Sequence, residues 1–245
     1  MRARHGFQAM QDRHFARADA AHYRWTTGDR GFAPVEDALL LPWLDRLAFP
    51  CLEVGCGEGT NLARLVRRGA PTGIDRYAEK IRFAARALPR ARLAVADALA
   101  LPFPDASFAS VLIRDLLHHL AEPRRATAEA VRVLRPGGTL LVLEPNGRNP
   151  LVALQARLVP AERALRAFTP GTARAALDGL PLAAIELAMA QALPLRRLVL
   201  HYRLGWPALG RSRVGVAILA RLEQLGGRLL PSGRWSYCVL RARRA

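Results

Sequence analysis

The sequence predicts a single α/β domain built on a mostly parallel β-sheet with helices on both faces. Short apolar runs alternate with helix-length segments between residues 50 and 143, the pattern of a parallel sheet covered on both sides. Glycines cluster between the first apolar run and the helix after it, and an aspartate ends each of the next two runs. Apolar residues make up 51% of the 245, which is enough for a sizeable core.

The strands and helices of the central region follow from the order of the apolar runs. Strands are predicted at residues 51–54, 71–74, 91–96, 107–113 and 139–143. Helices are predicted at residues 60–68 and 78–88, where apolar side chains share one face, and in a stretch that ends at Leu134. Pro89 ends the second helix, and Pro136-Gly137-Gly138 separates the third helix from the fifth strand.

The two ends of the chain are predicted to be mostly helical. An N-terminal helical cap covers residues 1–47, a central region spans residues 48–146, and residues 147–245 supply substrate-side helices and the final strands. In the last region, helices at residues 151–168, 172–177 and 214–230 surround a weak strand at residues 182–187. A final strand at residues 235–240 shows the alternation expected at a sheet edge, which brings the number of strands to seven.

The formal charge of +17 does not by itself identify a partner. Clustered basic side chains bind phosphate by releasing counterions, which would suit a nucleic acid. Lys80 is, however, the only lysine among the 37 basic residues, and the arginines are spread along an alanine-rich chain. We interpret the charge as mainly compositional, with steering of anionic substrates or lipid headgroups as the alternative.

Cysteine content and hydropathy indicate a cytoplasmic protein. Cys51, Cys56 and Cys238 form neither a C-x-x-C pair nor an even-numbered framework, and no apolar signal region precedes them. No apolar stretch approaches the roughly 20 residues that a transmembrane helix requires, so none is expected. The helices at residues 151–168 and 214–230 mix arginine with apolar residues, which predicts a cap over the substrate or, alternatively, peripheral membrane contact.

The strongest functional signal is the sequence EVGCGEGTN at residues 53–61, where the first strand turns into a helix. Glycine lets the backbone approach a ligand closely and adopt positive φ angles. Asp75 ends the second strand 20 residues after Gly55, where a carboxylate can accept hydrogen bonds from both ribose hydroxyls of an adenosine. Asp97, followed by Ala98, ends the third strand. Open α/β sheets bind ligands at these strand ends, so the series predicts an adenosine-containing ligand.

The spacing of the glycines distinguishes two classes of adenosine cofactor. The dinucleotide fingerprint G-x-G-x-x-G requires glycine at position 60, where this chain has Thr60 and a G-x-G-x-G pattern. A pyrophosphate needs the open helix N-terminus of that fingerprint, whereas a sulfonium amino acid carries no phosphate. The spacing therefore favours S-adenosyl-L-methionine over NAD.

Residues 50–145 resemble the class I S-adenosylmethionine-dependent methyltransferases, in their small-molecule branch. Residues 53–59 resemble motif I of that family, Asp75 its ribose-binding acid, and Asp97 with Ala98 its adenine-contacting pair. Residues 107–120, which end in LHHL, resemble the fourth-strand motif, and VLRPGG at residues 133–138 resembles the turn before the fifth strand. The resemblance implies a Rossmann-like fold.

The resemblance also implies which residues hold the cofactor. The backbone at Gly55 and Gly57 lies along its methionine part, Glu53 places its amino group, and Arg114 lines the site. The complete expected set is Glu53, Gly55, Cys56, Gly57, Gly59, Asp75, Arg76, Asp97, Ala98 and Arg114. No metal site is predicted.

The implied reaction is in-line methyl transfer to a small molecule or a lipid-linked metabolite. Much of its rate can come from positioning and exclusion of water, because the departing thioether is neutral and needs no acid. If a hydroxyl is the nucleophile, the candidate bases are His118, His119 and Glu144, with helix packing as the alternative for each histidine. Tyr23 and Trp25 are candidates for a lid, with packing against the sheet as the alternative.

Two other functions stay open at this point. An RNA methyltransferase would suit the charge, yet the N/D-P-P-aromatic motif of enzymes that methylate exocyclic amines of bases is replaced by IRDL at residues 113–116. Nucleic acid is therefore not the expected partner. The second alternative is a non-catalytic regulatory protein that keeps the cofactor fold.

Overall fold

A computed structural model describes residues 10–245 and contains one seven-stranded sheet in the order β3-β2-β1-β4-β5-β7-β6. The part of the predicted cap at residues 1–9 lies outside the described residues. The strands are β1 (Cys51–Val54), β2 (Thr72–Asp75), β3 (Arg92–Val95), β4 (Phe108–Arg114), β5 (Leu134–Pro145), β6 (Leu182–Ala190) and β7 (Tyr237–Arg244). The first five strands pair in parallel, and β7 pairs antiparallel with both β5 and β6. The predicted fold class is confirmed.

The prediction that the final strand lies at a sheet edge is wrong. β7 is inserted between β5 and β6, so β6 forms that edge. Tyr237 and Val239 pack into the hydrophobic cluster on one face of the sheet, whereas Cys238 and Leu240 pack into the cluster on the other. A strand that is apolar on both faces belongs inside a covered sheet.

The helices differ from their predicted bounds mainly where proline and glycine intervene. They are α1 (Ala20–Thr27), α2 (Ala33–Leu44), α3 (Leu62–Leu65), α4 (Ala78–Ala87), α5 (Pro123–Val133), α6 (Pro150–Leu158), α7 (Pro170–Ala175), α8 (Leu195–Val199) and α9 (Arg213–Leu229). The helix predicted at residues 151–168 is divided, because α6 ends before Pro160 and a 3₁₀ helix continues at Pro160–Ala167. Pro136-Gly137-Gly138 does not precede the fifth strand but lies within β5, where Gly137 has φ +73°.

Two hydrophobic clusters cover the two faces of the sheet. Val111 and Ile113 of β4 lie in one cluster and Leu112 lies in the other, as strand alternation requires. A third cluster joins the N-terminal helices to the C-terminal region. In it, Trp25 stacks on Phe32 with ring centroids 3.8 Å apart, and its Nε1 donates to the carbonyl of Leu200. Trp25 is therefore a core residue, but its cluster contains helix and loop residues and none of the strands, which differs from the predicted packing against the sheet.

A buried network of charged and polar side chains ties both ends of the chain to the sheet. Glu36 of α2 accepts hydrogen bonds from Arg114 at the end of β4 and from Arg197 of α8, each at 2.5 Å. Arg114 also donates to Asn61 Oδ1 at 2.8 Å, and Asn61 donates to Glu53 of β1 at 2.5 Å. Burial alone would raise the pKa of Glu36, but Arg114 and Arg197 lower it to about 2. Glu36 is thus a charged residue in the interior whose charge is neutralised by two arginines.

Replacing Glu36 with glutamine is expected to lower the free energy of unfolding by about 3–5 kcal/mol, because two buried arginines lose their counter-charge. Urea denaturation at pH 7 measures this change. The pKa of Glu36 is lowered on folding from 4.5 to about 2, so the stability it adds is present above pH 4.5 and is lost towards pH 2. The difference between wild type and variant should shrink over that interval.

The matched control is Asp178→Asn, which breaks the exposed ion pair between Asp178 and Arg174. An exposed pair contributes about 0–1 kcal/mol, so this variant should unfold close to the wild-type midpoint. Equal losses in the two variants would show that burial of the Glu36 network adds nothing.

Candidate functional site

The glycine turn after β1 has the backbone conformation that the sequence predicts. Gly55, Gly57 and Gly59 have φ angles of +77°, +53° and +84°, which other residues adopt at a cost. A Cβ atom on Gly55 would lie 2.9 Å from a methyl carbon of Leu116, and one on Gly59 would lie 2.7 Å from a methyl carbon of Leu88. Substitution at either position therefore combines backbone strain with a steric clash.

Asp75 faces the glycine turn. Its carboxylate accepts hydrogen bonds from the backbone N–H groups of Gly57 and Tyr77, each at 2.9 Å. The turn is also joined to β2 by the N–H groups of Gly55 and Cys56, which both donate to the carbonyl of Ile74 at 2.8 Å. The acid at the end of β2 and the bare peptide at the end of β1 thus form one unit.

The other predicted residues at the strand ends differ in exposure. Asp97 is exposed, lies beyond the end of β3 and accepts a hydrogen bond from the N–H of Leu99 at 2.9 Å. Ala98 is buried in the core. Arg76 is exposed and its guanidinium lies 5.4 Å from the ring centroid of Tyr77. Both side chains lie at the surface, and Arg76 Nη1 also lies 3.7 Å from Asp12 Oδ1.

Glu53 carries an unpaired polar atom in the interior. Its Oε1 accepts the hydrogen bond from Asn61, while Oε2 is buried and has no hydrogen-bond partner among residues 10–245. Burial raises the pKa of Glu53 to about 8, although the Asn61 hydrogen bond and Arg114 act in the opposite direction. Buried polar atoms normally have partners, so Oε2 marks a place for a hydrogen-bond donor of a ligand.

Cys56 contributes only its peptide to the turn. The side chain is buried in the cluster that contains Leu62 and Leu65, and burial raises the pKa of its thiol well above the ordinary value. Its Sγ would lie 2.9 Å from a Cβ atom on Gly73. The thiol therefore fills space between β1 and β2.

The segment before α1 covers the glycine turn. Asp19 donates its backbone N–H to Glu58 Oε1 at 3.0 Å, and Lys80 Nζ lies 3.4 Å from the same oxygen. Lys80 also lies over the ring of Phe15, 5.7 Å from its centroid. Two surface depressions, of about 500 Å³ at residues 163–167 and about 510 Å³ beside Leu180, lie elsewhere. Residues 15–19 thus lie against one side of the turn.

His118 and Glu144 form a buried pair beyond the end of β4. Glu144 Oε2 lies 2.6 Å from His118 Nδ1, and Glu144 Oε1 accepts the N–H groups of Leu116 and Leu117. His118 Nε2 lies 3.5 Å from Glu162 Oε2. Burial alone would lower the pKa of His118, but Glu144 and Glu162 raise it to about 10. Both ring nitrogens of His118 thus face carboxylates.

His119 has the opposite electrostatic environment. Its Nδ1 lies 2.8 Å from the amide nitrogen of Gln11, and its Nε2 lies 3.9 Å from Glu162 Oε2. Burial and the neighbouring His118 lower the pKa of His119 to about 3. Phe15 contacts its ring with centroids 4.8 Å apart. His118 is therefore protonated because it lies between two carboxylates, whereas the neighbouring His119 is neutral.

Several residues of the site lack a sequence motif. Glu36, Glu162 and Arg197 lie on three helices that are far apart in the sequence. Only the fold brings them together near the end of β4. Asn61 lies within the motif at residues 53–61, and its polar side chain at the start of a helix was the sequence signal that could have identified it as a site residue. No sequence signal pointed to Gln11.

His201 and Tyr202 contact the N-terminal helices. Tyr202 donates its hydroxyl to Asp19 Oδ2 at 2.5 Å, and the His201 ring centroid lies 4.9 Å from that of Trp25. This pair connects the segment after α8 to the start of α1.

A family model described as a methyltransferase domain matches residues 52–142. A phosphatidylethanolamine N-methyltransferase of Cereibacter sphaeroides is 34% identical over 122 residues, which are 46% of this chain and 60% of that protein. A probable S-adenosylmethionine-dependent methyltransferase of Mycolicibacterium smegmatis is 36% identical over 109 residues, which are 41% of this chain and 42% of that protein. The chain thus spans less than two thirds of these curated relatives.

Solved structures share the fold over nearly the whole chain. A SAM-dependent methyltransferase from Archaeoglobus fulgidus has a TM-score of 0.64 and 16% identity, and the likeness covers 92% of this chain and all of that one. The [4+2]-cyclase SpnF has a TM-score of 0.54 and 23% identity, with 87% and 83% covered. These likenesses establish the fold alone. The family model and the curated relatives agree on the region that holds the glycine turn, and this region is similar to S-adenosylmethionine-dependent methyltransferases.

Proposed function

We propose that this protein transfers a methyl group from S-adenosyl-L-methionine to a small-molecule or lipid-linked acceptor. The observation that carries the proposal is the unpaired, buried Glu53 Oε2 beside a turn of three positive-φ glycines that Asp75 faces. An ammonium group supplies the donor that Oε2 lacks, the bare peptide admits the methionine chain, and Asp75 can accept a ribose hydroxyl. The carboxylate acceptors and the glycine backbone at the strand ends thus fit the groups of the cofactor.

The bound cofactor would supply an electrophilic methyl group on a sulfonium. The residues of this chain would position it and exclude water, since the segment at residues 15–19 already covers the turn. Both ring nitrogens of His118 and both carboxylate oxygens of Glu144 have partners within the protein. We therefore assign these two residues to holding the loop after β4 and not to proton removal.

The acceptor is proposed to be a small molecule or a lipid-linked metabolite. The relative from Cereibacter sphaeroides is named for a phospholipid substrate. Arginine-rich helices beyond β5 supply positive charge, which would attract an anionic acceptor. The unpaired, buried thiols of Cys51, Cys56 and Cys238 suit a reducing compartment, so we place the protein in the cytoplasm.

Isothermal titration calorimetry should detect binding of S-adenosyl-L-methionine and none of NAD. Asp75→Asn is expected to weaken the binding by about 10- to 100-fold, because a hydrogen bond to a charged group contributes about 1.5–3 kcal/mol. Transfer of a labelled methyl group from the same cofactor to a cell extract, followed by separation of aqueous and lipid fractions, tests the reaction itself.

Asp178→Asn provides the control, since it makes the same chemical change at an exposed ion pair on another part of the surface. Its affinity for the cofactor should equal that of the wild type. Binding of NAD in preference to S-adenosyl-L-methionine would overturn the proposal, as would binding without any labelled product.

Cofactor binding is expected to release close to one proton at pH 7. Glu53 is mostly protonated at that pH because its pKa is raised to about 8, and an ammonium partner favours the carboxylate. Above pH 8 the free protein has already lost this proton, so the release should fall towards zero. Calorimetry in two buffers of different ionisation enthalpy measures it.

The variant Glu53→Gln has no proton to lose at this position and should bind more weakly without linked proton release. A wild-type protein that releases no proton at pH 7 would contradict the assigned role of Glu53.

We also propose that α9 contacts an anionic membrane surface. Five exposed apolar side chains on α9 lie within roughly 80° of one another at 100° per residue. They are Val214, Ile218, Leu222, Leu225 and Leu229. Arg221 and Arg228 are exposed beside this stripe. A solvent-facing apolar stripe with flanking arginines matches an interfacial helix, which the headgroup charge would attract. Within residues 10–245 no helix is long and apolar enough to cross a bilayer.

The double substitution Ile218→Ser and Leu222→Ser should lower binding to phosphatidylglycerol vesicles by about tenfold or more, since each side chain loses apolar burial in the interface. Co-sedimentation with vesicles measures the bound fraction. Leu187→Ser is the control, because Leu187 is equally apolar and exposed but lies on the edge strand β6. Equal binding of all three proteins, or equal binding to neutral phosphatidylcholine vesicles, would refute the membrane proposal.

A further inference from the structure

Three metal-ligating atoms from two parts of the chain converge beyond the end of β4. His118 Nε2 lies 3.5 Å from Glu162 Oε2, and His119 Nε2 lies 3.9 Å from the same oxygen. A ligand atom from each of the three residues lies within 4.8 Å of the other two. Ligands bound to one zinc ion at about 2.0–2.2 Å in tetrahedral geometry lie about 3.3–3.5 Å apart. The two distances from Glu162 Oε2 therefore need to shorten by no more than about 0.6 Å for these atoms to share an ion.

The ring nitrogens on the far side of both histidines have partners of their own. His118 Nδ1 lies 2.6 Å from Glu144 Oε2, and Glu144 is fixed in turn by two backbone N–H groups. His119 Nδ1 lies 2.8 Å from the side-chain amide of Gln11. Metal-bound histidines in proteins almost always donate the other ring N–H to a carboxylate or an amide oxygen, which fixes the tautomer and aims the free nitrogen. Glu144 holds the His118 ring in this way, whereas Gln11 presents its amide nitrogen to His119 Nδ1 and would have to turn its amide oxygen towards that ring for His119 to bind a metal through Nε2.

An ion pair within the protein accounts for only part of this arrangement. A protonated His118 between Glu144 and Glu162 explains the contacts of that ring. That ion pair does not include His119, whose Nε2 also lies 3.9 Å from the same Glu162 oxygen. A bound cation would explain why all three ligand atoms converge on one point.

We propose that His118, His119 and Glu162 bind one zinc ion, with a fourth position open to water or to an oxygen atom of an acceptor molecule. Two imidazoles and one carboxylate favour zinc or a similar transition metal, whereas magnesium prefers oxygen ligands throughout. Three protein ligands are typical of zinc sites that keep an exchangeable position. The proposal concerns residues apart from the glycine turn and does not depend on methyl transfer.

The direct test is titration of the tag-free full-length chain, freed of metal by a chelator, with zinc chloride in competition with a chromophoric chelator. One zinc ion per chain is expected to bind with micromolar or tighter affinity. Cobalt chloride in its place should produce the visible absorption bands of a tetrahedral cobalt site. A wild-type chain that binds no stoichiometric zinc overturns the proposal.

Variants locate the ion. Glu162→Gln and His119→Gln should each weaken zinc affinity by more than 100-fold, and Glu144→Gln, which changes an outer partner, by about 10- to 100-fold. His201→Gln alters a histidine outside the cluster and should leave the affinity unchanged. Because Glu162 is partly exposed, its variant is the least disruptive, and circular dichroism checks that each one folds. Unchanged affinity in both ligand variants, or an equal loss in His201→Gln, rules out the site.

Discussion

The contact between Glu36 and the two arginines Arg114 and Arg197 is the constraint on which the rest of this structure depends. Two guanidinium groups are buried in the interior, and both lie 5.8 Å from the ring centroid of Tyr237 on β7. Burial of unpaired charge costs several kcal/mol per ion, so Glu36 between the two arginines, together with Asp115 beside Arg114, stabilises their charges. One carboxylate on α2 therefore fixes the N-terminal cap, the end of β4 and α8 relative to one another.

The same network reaches the glycine turn after β1 through Asn61. Arg114 donates to the oxygen of the Asn61 amide, whose nitrogen then donates to Glu53. This leaves Glu53 with one satisfied oxygen and one that has no partner in the described part of the chain. A chain of hydrogen bonds thus runs from Glu36 to the Glu53 oxygen that we propose for ligand binding.

The agreement between sequence and structure is closest where local rules decide the outcome. The positive φ angles at Gly55, Gly57 and Gly59 follow from a tight strand-to-helix turn, and Asp75 ends its strand as expected. Disagreement occurs where distant segments pack. The strand at residues 235–240 shows alternating chemistry, but each of its faces meets a separate apolar cluster, which places it inside the sheet. The helix predicted at residues 151–168 instead ends before Pro160, because proline cannot donate the backbone hydrogen bond that a continuing helix requires.

By itself the sequence determined the α/β class, the position of the glycine turn and the acid at the end of β2, because these depend on periodicity, glycine conformations and chain order. The tertiary structure alone decided that His118 and His119 differ in charge, that Glu162 meets both rings, and that residues 15–19 cover the turn. Those properties arise from burial and from contacts between segments far apart in the chain. Neither burial nor long-range proximity is encoded in any local pattern of residues.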